Sequence, residues 1–223
     1  MEHNRRDWTE PRQVRRIGPT RRSVSGRLAF RGTTSVPFES TLERDFLLRV
    51  EFLTAVAGVV AQPVVVPFTS PSGREYPYTP DYLVHRRDGP SELVEVKPAS
   101  EWRRHWREWF PKWKAARRLA RARGWTFRIH DESRIRGPAL ETIRFLQRYR
   151  RLAPPEPVAA ELIAAVAAAG RIRVDDLLAR HTDAGSDRAA IQHLWHLVAG
   201  RRLDCDIGRA LDATTELRPV DHG

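Results

Sequence analysis

Hydrophobic and polar positions follow two periods along the first two thirds of the chain. Between about 41 and 57, apolar residues recur at helical spacing behind Ser40, a favoured N-cap residue: Leu42, Phe46, Val50, Leu53 and Ala57. Residues 59–69 are β-branched but interrupted by Pro63 and Pro67, which predicts a strand near the edge of a sheet. The pattern therefore predicts a helix followed by strands.

Two β-rich runs, Tyr78–Val84 and Leu93–Pro98, flank a turn that contains Asp88-Gly89. This arrangement is typical of a β-hairpin. If the turn is centred on Asp88, Asp81 lies opposite Glu95. Side-chain alternation then puts Glu95 and Lys97 on one face, so three ionisable groups should converge.

Two opposed carboxylates repel, and a divalent cation such as Mg²⁺ would relieve that repulsion. Lys97 would then steady charge that develops on a phosphate. An ordinary hairpin with a Glu–Lys pair carries the same short pattern. Only three of the 39 basic residues are lysines, which favours a chemical role for the lysine at 97.

The segment from Ser100 to Arg123 has a helical pattern with four tryptophans along one side, at 102, 106, 109 and 113. Pro111 should break or kink this helix into two pieces. We interpret the tryptophans as core, with base stacking as the alternative. The basic side chains on the other faces suit phosphate contacts, and we single out Arg103, Arg104, Arg107, Lys112 and Lys114.

A further strand is predicted over 125–130 and a helix over 138–151. The order helix, three strands, helix, strand, helix predicts an α/β fold, a mixed sheet with helices on both faces. Residues 153–157 are a proline-rich linker. Three short helices and a wing follow, typical of a winged helix-turn-helix domain whose third helix would expose Arg188 and Gln192 to DNA or to a protein.

Composition points to a polyanionic partner, because the formal net charge of the 223 residues is +11. Residues 1–35 are rich in arginine without an apolar period, and we interpret them as a basic flexible arm, either ordered on DNA or solvated. One cysteine excludes a disulfide framework, and we find no signal-peptide pattern or apolar run of membrane length. We therefore expect a cytoplasmic protein.

Glu43 has two interpretations. As the fourth residue of Ser40-Thr41-Leu42-Glu43 it completes a capping box at the start of the first helix. It also lies beside the apolar seam, where its carboxylate could reach a metal held by the hairpin. We favour the metal, because a third acid is needed if two cations are bound.

Taken together, Ser40-x-x-Glu43, Tyr78-Thr79-Pro80-Asp81-Tyr82, Glu95-Val96-Lys97-Pro98 and Gly124-Trp125 resemble the TnsA-type transposon endonucleases, in the wider PD-(D/E)xK nuclease class. The resemblance implies a restriction-endonuclease-like domain over 36–152, a winged-helix domain over 158–215 and a tail over 216–223. It also implies that Glu43, Asp81, Glu95 and the carbonyl of Val96 bind Mg²⁺ or Mn²⁺, with Lys97 as the motif lysine.

The same resemblance implies cleavage of one strand, on the 5′ side, at transposon ends. The implied partners are DNA, a TnsB-like DDE transposase and a TnsC-like AAA+ ATPase that contacts the C-terminal domain, in a bacterial, nucleoid-associated complex. The alternatives are a stand-alone repair, restriction or phage nuclease, and a non-catalytic DNA-binding adaptor.

Overall fold

Helices and strands alternate along the chain in a computed structural model that describes residues 13–14, 24–181 and 187–220. The chain divides into two units, Met1–Ile135 and Arg136–Gly223. The elements of the first unit are, in order, β1 (Gly26–Phe30), β2 (Thr34–Phe38), α1 (Thr41–Phe52), β3 (Val56–Ala61), β4 (Val66–Thr69), β5 (Glu75–Tyr78), β6 (Tyr82–Arg86), β7 (Glu92–Val96), α2 (Ala99–Ala122), β8 (Thr126–His130) and α3 (Glu132–Ile135).

The centre of the first unit is a four-stranded mixed sheet of order β3-β6-β7-β8. Strands β3, β6 and β7 are antiparallel neighbours, and β8 runs parallel to β7. The helix α2 supplies the crossover that a parallel pair requires. The predicted α/β class, a mixed sheet flanked by helices, is confirmed.

Each face of this sheet has its own apolar cluster. Tyr82, Val84, Val94 and Val96 face one side and are buried with Phe46 and other residues of α1. Leu83 and Leu93 face the other side and are buried with Trp113, Ala116 and Ala120 of α2. Because neighbouring residues of a strand point to opposite faces, this alternation fixes which side chains of β6 and β7 meet α2.

Strands β1 and β2 form an antiparallel hairpin within the segment that we predicted as a flexible arm. Phe30, Val36 and Phe38 are buried in the same cluster as α1, so the prediction is wrong for residues 26–35. The short alternation of apolar residues in this segment was missed because arginines lie among them. The rest of the predicted arm, residues 1–12 and 15–23, lies outside the described residues.

Two other predictions need correction. The single strand predicted over 59–69 is two strands, β3 at the edge of the central sheet and β4 paired with β5. The helix α2 continues through Pro111. Proline removes the amide that would bond the carbonyl of Arg107, and Arg107 is exposed, so water can satisfy that carbonyl.

The second unit contains, in order, α4 (Pro138–Gln147), α5 (Glu156–Ala169), β9 (Ile172–Arg173), α6 (Val174–His181), α7 (Asp187–Ala199), β10 (Leu203–Cys205) and β11 (Glu216–Pro219). Its three strands form an antiparallel sheet of order β10-β11-β9. The positions of α5, α6 and α7 agree with the three short helices predicted from the sequence.

Both ends of the second unit differ from the predicted boundaries. Helix α4, which we placed in the first domain, packs in the second unit: Phe145 contacts the ring of Trp195 at 6.5 Å between centroids, and Thr142 donates to the Arg209 carbonyl at 2.9 Å. Residues 216–219, predicted as a tail, are the central strand of the small sheet. The backbone of this strand pairs with β10 on one side and with β9 on the other.

None of the helices within the described residues is both long enough and apolar enough to cross a membrane.

Gly26 provides a test of the β1–β2 hairpin as part of the core. A Cβ on Gly26 would lie 2.6 Å from the ring of the buried Phe38. We expect Gly26→Ala to lower the free energy of unfolding by about 1–3 kcal/mol, because the ring must move within a packed cluster. Gly58→Ala is the control, since nothing lies within 4 Å of that Cβ. Urea unfolding measures the free energy of unfolding of both variants. Equal losses in the two variants would mean that Phe38 does not pack on the hairpin.

Candidate active site

The register of β6 and β7 brings two acids together at one end of the central sheet. Tyr82 pairs with Val94, and continuing that register by one residue places Asp81 opposite Glu95, as the sequence predicted. One carboxylate oxygen of Asp81 accepts a hydrogen bond from the Val96 amide at 2.7 Å. Glu95 is almost completely buried, at 2% exposure. The acids therefore occupy neighbouring strands on the α2 side of the sheet.

The Glu95 carboxylate is held by three side chains. Its Oε2 accepts a hydrogen bond from the Tyr78 hydroxyl at 2.6 Å. Its Oε1 lies 3.9 Å from the Lys97 Nζ and 3.7 Å from the Lys112 Nζ. A buried carboxylate needs this kind of compensation, because an unpaired charge is costly away from water. The predicted convergence of Asp81, Glu95 and Lys97 is present in the structure.

Lys112 was missed as a member of this site and was predicted to contact DNA instead. Its Nζ lies over three aromatic rings, at 4.6 Å from the centroid of Trp109, 4.9 Å from Tyr78 and 5.8 Å from Trp113. The rarity of lysine, which drew attention to Lys97, applies equally to Lys112. The ammonium thus lies between aromatic rings, which attract a cation, and the Glu95 carboxylate.

Glu43 approaches from α1, but its carboxylate is engaged at the start of its own helix. Its Oε1 accepts from the Ser40 hydroxyl at 2.9 Å, and its Oε2 accepts from the Glu39 amide at 2.9 Å. The Ser40 oxygen in turn accepts from the Glu43 amide at 3.1 Å. The Tyr82 hydroxyl lies 3.1 Å from Oε2. The capping contact that we considered is present.

Burial and the charges of neighbouring groups shift the pKa values of these side chains. Burial, followed by repulsion from Glu95 and Glu43, raises the pKa of Asp81 well above its usual value. Burial is also the main cause of the raised pKa of Glu43. For Lys97, burial lowers the pKa but the attraction of Glu95 and Asp81 outweighs it, so the net shift is upward. For Lys112, burial dominates and the pKa is lowered.

The donor set fits a hard divalent cation held by few protein ligands. Asp81 and Glu95 lie near the ammonium groups of Lys97 and Lys112, and Glu43 adds to the repulsion at Asp81. Within the described residues, no three His, Cys, Asp or Glu side chains are grouped to hold a metal. Mg²⁺ is commonly held by one or two carboxylates and water. Asp81 and Glu95 meet that requirement, and Glu43 would first have to leave its cap.

Gln62 adds a strained backbone beside Asp81. Its φ is 47°, in the left-handed region that residues other than glycine rarely adopt. Its amide donates to the Asp81 carbonyl at 2.7 Å, which anchors the residue that carries the acid. Its side chain is buried and its Oε1 has no hydrogen-bond partner among the described residues. This backbone bond continues the pairing of β3 with β6 by one residue.

The remaining predicted contacts lie on exposed surfaces. On α2 the exposed side chains are Arg103, Arg104, Arg107 and Lys114. In the second unit, Arg188 of α7 is exposed and Gln192 is partly buried. Their role in binding DNA stays a prediction.

Residues 54–132 match the family model of the TnsA-like endonuclease N-terminal domain. This segment runs from just before β3 into α3 and covers just over a third of the chain. It contains Asp81, Glu95, Lys97 and Lys112, whereas Glu43 and the second unit lie outside it. No curated protein matches the chain. The match to a TnsA-like endonuclease domain therefore supports a nuclease, and the matched segment contains the clustered side chains described above.

The burial of Asp81 beside two other acids predicts a pH-dependent stability. Because the folded-state pKa is raised, the folded protein binds more protons than the unfolded one between the two pKa values, and stability falls as pH rises through that window. In EDTA we expect Asp81→Asn to raise the free energy of unfolding at pH 8 and to raise it by less at pH 4, because the asparagine has no charge to bury. Urea unfolding at both pH values measures this difference.

The matched control is Asp88→Asn, on the exposed turn between β6 and β7, which should change little at either pH. If Asp81→Asn instead loses stability at pH 8, attraction to Lys97 outweighs the repulsion among the acids.

Proposed function

We propose that this protein is a metal-dependent DNA endonuclease of the PD-(D/E)xK class that cleaves one strand, on the 5′ side, at transposon ends. The observation that carries the proposal is that the TnsA-like segment is the part of the chain that gathers Asp81, Glu95 and Lys97. A family match alone would leave the chemistry open. The site geometry supplies acids and an ammonium suited to phosphodiester hydrolysis.

Asp81, Glu95 and the carbonyl of Val96 would hold Mg²⁺, for which Mn²⁺ can substitute. The bound cation supplies Lewis-acid catalysis and lowers the pKa of an attacking water. Glu43 joins this set if its carboxylate exchanges the Ser40 and Glu39 contacts for the cation. The strained backbone at Gln62 fixes the position of Asp81 through the hydrogen bond to its carbonyl.

Lys97 acts as a cation toward the substrate. Its side chain is 29% exposed, compared with 17% for Lys112 and 3% for Glu95, so it is the most accessible of these three charges. Burial lowers its pKa, but Glu95 and Asp81 outweigh that effect and raise it, so we assign Lys97 the role of a protonated cation. It therefore orients the water or stabilises the charge that develops on the scissile phosphate.

Lys112 positions Glu95 and does not contact phosphate. Its ammonium is enclosed by Tyr78, Trp109 and Trp113 and faces the Glu95 oxygen that Lys97 also approaches. Two cations and the Tyr78 hydroxyl together fix the carboxylate in one orientation. Pre-organisation of this kind lets a charged group act without reorganising during the reaction.

DNA binding would use the exposed arginines of α2 and the second unit. Helix α2 carries eight Arg or Lys residues and two Glu residues. The order of helices and strands in the second unit supports a winged helix in which α7 would be the recognition helix, and Arg188 is exposed on α7. In this proposal the protein works on chromosomal DNA in the bacterial cytoplasm, with a TnsB-like transposase and with a TnsC-like ATPase on the second unit.

The decisive experiment uses the full chain with supercoiled DNA that carries a transposon end, with and without a TnsB-like transposase and a TnsC-like ATPase. We expect nicking of one strand with Mg²⁺ or Mn²⁺. Asp81→Ala, Glu95→Ala and Lys97→Ala should each lower the nicking rate at least about 100-fold while DNA binding persists, because phosphoryl transfer depends on positioning and electrostatics. Denaturing gels and fluorescence anisotropy report the two quantities.

Glu75→Ala, an exposed acid on β5, is the matched control and should nick normally. Nicking by the purified chain alone would favour a stand-alone nuclease. Undiminished nicking by Asp81→Ala in the complete mixture would refute the site assignment, and unchanged function of Glu95→Ala and Lys97→Ala would favour an adaptor.

Lys112 and Lys114 form a sharper pair, because they lie on the same helix and differ in surroundings: Lys112 faces Glu95 and Lys114 is exposed. We expect Lys112→Met to lower the nicking rate at least about tenfold with unchanged DNA affinity, because Glu95 loses its orientation. Lys114→Met should leave the nicking rate at saturating DNA unchanged and weaken affinity slightly. If both variants weaken DNA affinity equally, Lys112 contacts phosphate as the sequence predicted.

A further inference from the structure

The first half of α2 packs on the core only through the partly buried Trp102 and Trp109, and most of its other side chains are exposed. All of its buried residues, Trp113, Ala115, Ala116 and Ala120, lie in the second half. The start of the helix is fixed by two contacts: the Trp102 indole donates to Asp131 at 3.0 Å, and the Ala99 amide donates to Glu132 at 2.9 Å. This half is therefore anchored in place although none of its residues is fully buried.

Two large aromatic side chains are exposed on this half. Trp106 is 47% exposed and Phe110 is 50% exposed, and they stand four residues apart on one side of the helix. Our interpretation of the tryptophans as core is wrong for Trp106. The Arg107 guanidinium lies 5.2 Å from the centroid of the Trp106 ring, and Arg103 is exposed one turn earlier. We call Arg103, Trp106, Arg107 and Phe110 the aromatic–arginine face.

This face adjoins the candidate active site through Trp109. Lys97 lies 5.7 Å and Lys112 lies 4.6 Å from the centroid of the Trp109 ring. Trp109 precedes Phe110 and follows Trp106 by less than one helical turn. A DNA strand whose phosphate reaches Lys97 would therefore pass close to Trp106 and Phe110.

We propose that Trp106 and Phe110 form a stacking site for unpaired nucleobases of the DNA strand that enters the active site, with Arg103 and Arg107 on the adjoining phosphates. This inference rests on the proposed function. The charge of α2, eight basic residues against two acidic ones, favours a polyanion over an apolar protein surface. Ring faces are available to bases only where the duplex is open, since paired bases stack on each other.

The test uses the full chain in EDTA, so that binding is measured without cleavage. The probes are a duplex, the same duplex with an unpaired flap, and a single strand that carries 2-aminopurine. We expect Trp106→Ala and Phe110→Ala each to weaken binding of the flap and the single strand about tenfold, and of the duplex less than about twofold. Stacking should quench 2-aminopurine in the unaltered protein, and Trp106→Ala should lose that quenching while Trp106→Phe retains most of it.

Two controls separate stacking from charge and from folding. Arg103→Gln with Arg107→Gln should weaken all three probes and reduce the salt dependence of binding. Leu53→Ala, a 41% exposed apolar residue away from α2, should change none of them.

A uniform loss for all probes, or no loss, in Trp106→Ala would overturn the stacking site. If binding is unchanged but nicking that depends on partner proteins is lost, the face docks a protein instead. Selective loss of flap binding in a chain that never nicks would keep the stacking site and refute the nuclease. If Asp81→Ala abolishes nicking while Trp106→Ala binds the flap normally, the nuclease is supported and the stacking site is refuted.

Discussion

The first unit depends on holding Asp81 and Glu95 close together in a largely buried place, with Glu43 near enough to add to the repulsion at Asp81. Burial, followed by repulsion from Glu95 and Glu43, raises the pKa of Asp81, and burial is the main cause of the raised pKa of Glu43. Each acid is held by a different device: a strand amide for Asp81, a tyrosine with two lysines for Glu95, and a helix cap for Glu43. The sheet, the hairpin and both helices supply these devices, so the fold and the site share one set of contacts.

Basic residues are divided by type between surface and site. Two of the chain's three lysines approach Glu95, whereas the arginines of α2 lie outside. A guanidinium spreads its charge over a planar fork suited to phosphates, whereas an ammonium concentrates charge in a small volume that fits beside a buried carboxylate. Lys112 shows how such a charge is enclosed, because three aromatic rings replace its water shell.

The sequence allowed the centre of the site to be predicted, because hairpin register depends on local rules. Alternation of side chains and the Asp88-Gly89 turn fix which residues oppose one another, and Asp81 does lie opposite Glu95. Lys112 could not be found in this way, since it reaches Glu95 through the packing of α2 on the sheet. The β1–β2 hairpin was missed because five-residue strands among many arginines give a weak alternation. Helix α4 was assigned to the wrong unit because its apolar face does not reveal its partner.

The β1–β2 hairpin also has a practical consequence for anyone who wishes to isolate the catalytic half. The carbonyl of Pro37 accepts from the Tyr82 hydroxyl at 3.0 Å, and Phe30 is buried in the cluster around α1. A recombinant fragment that began at residue 36 would lack one strand of this cover and leave apolar surface open to aggregation. Crystallisation trials of the separate unit should therefore begin upstream of residue 24.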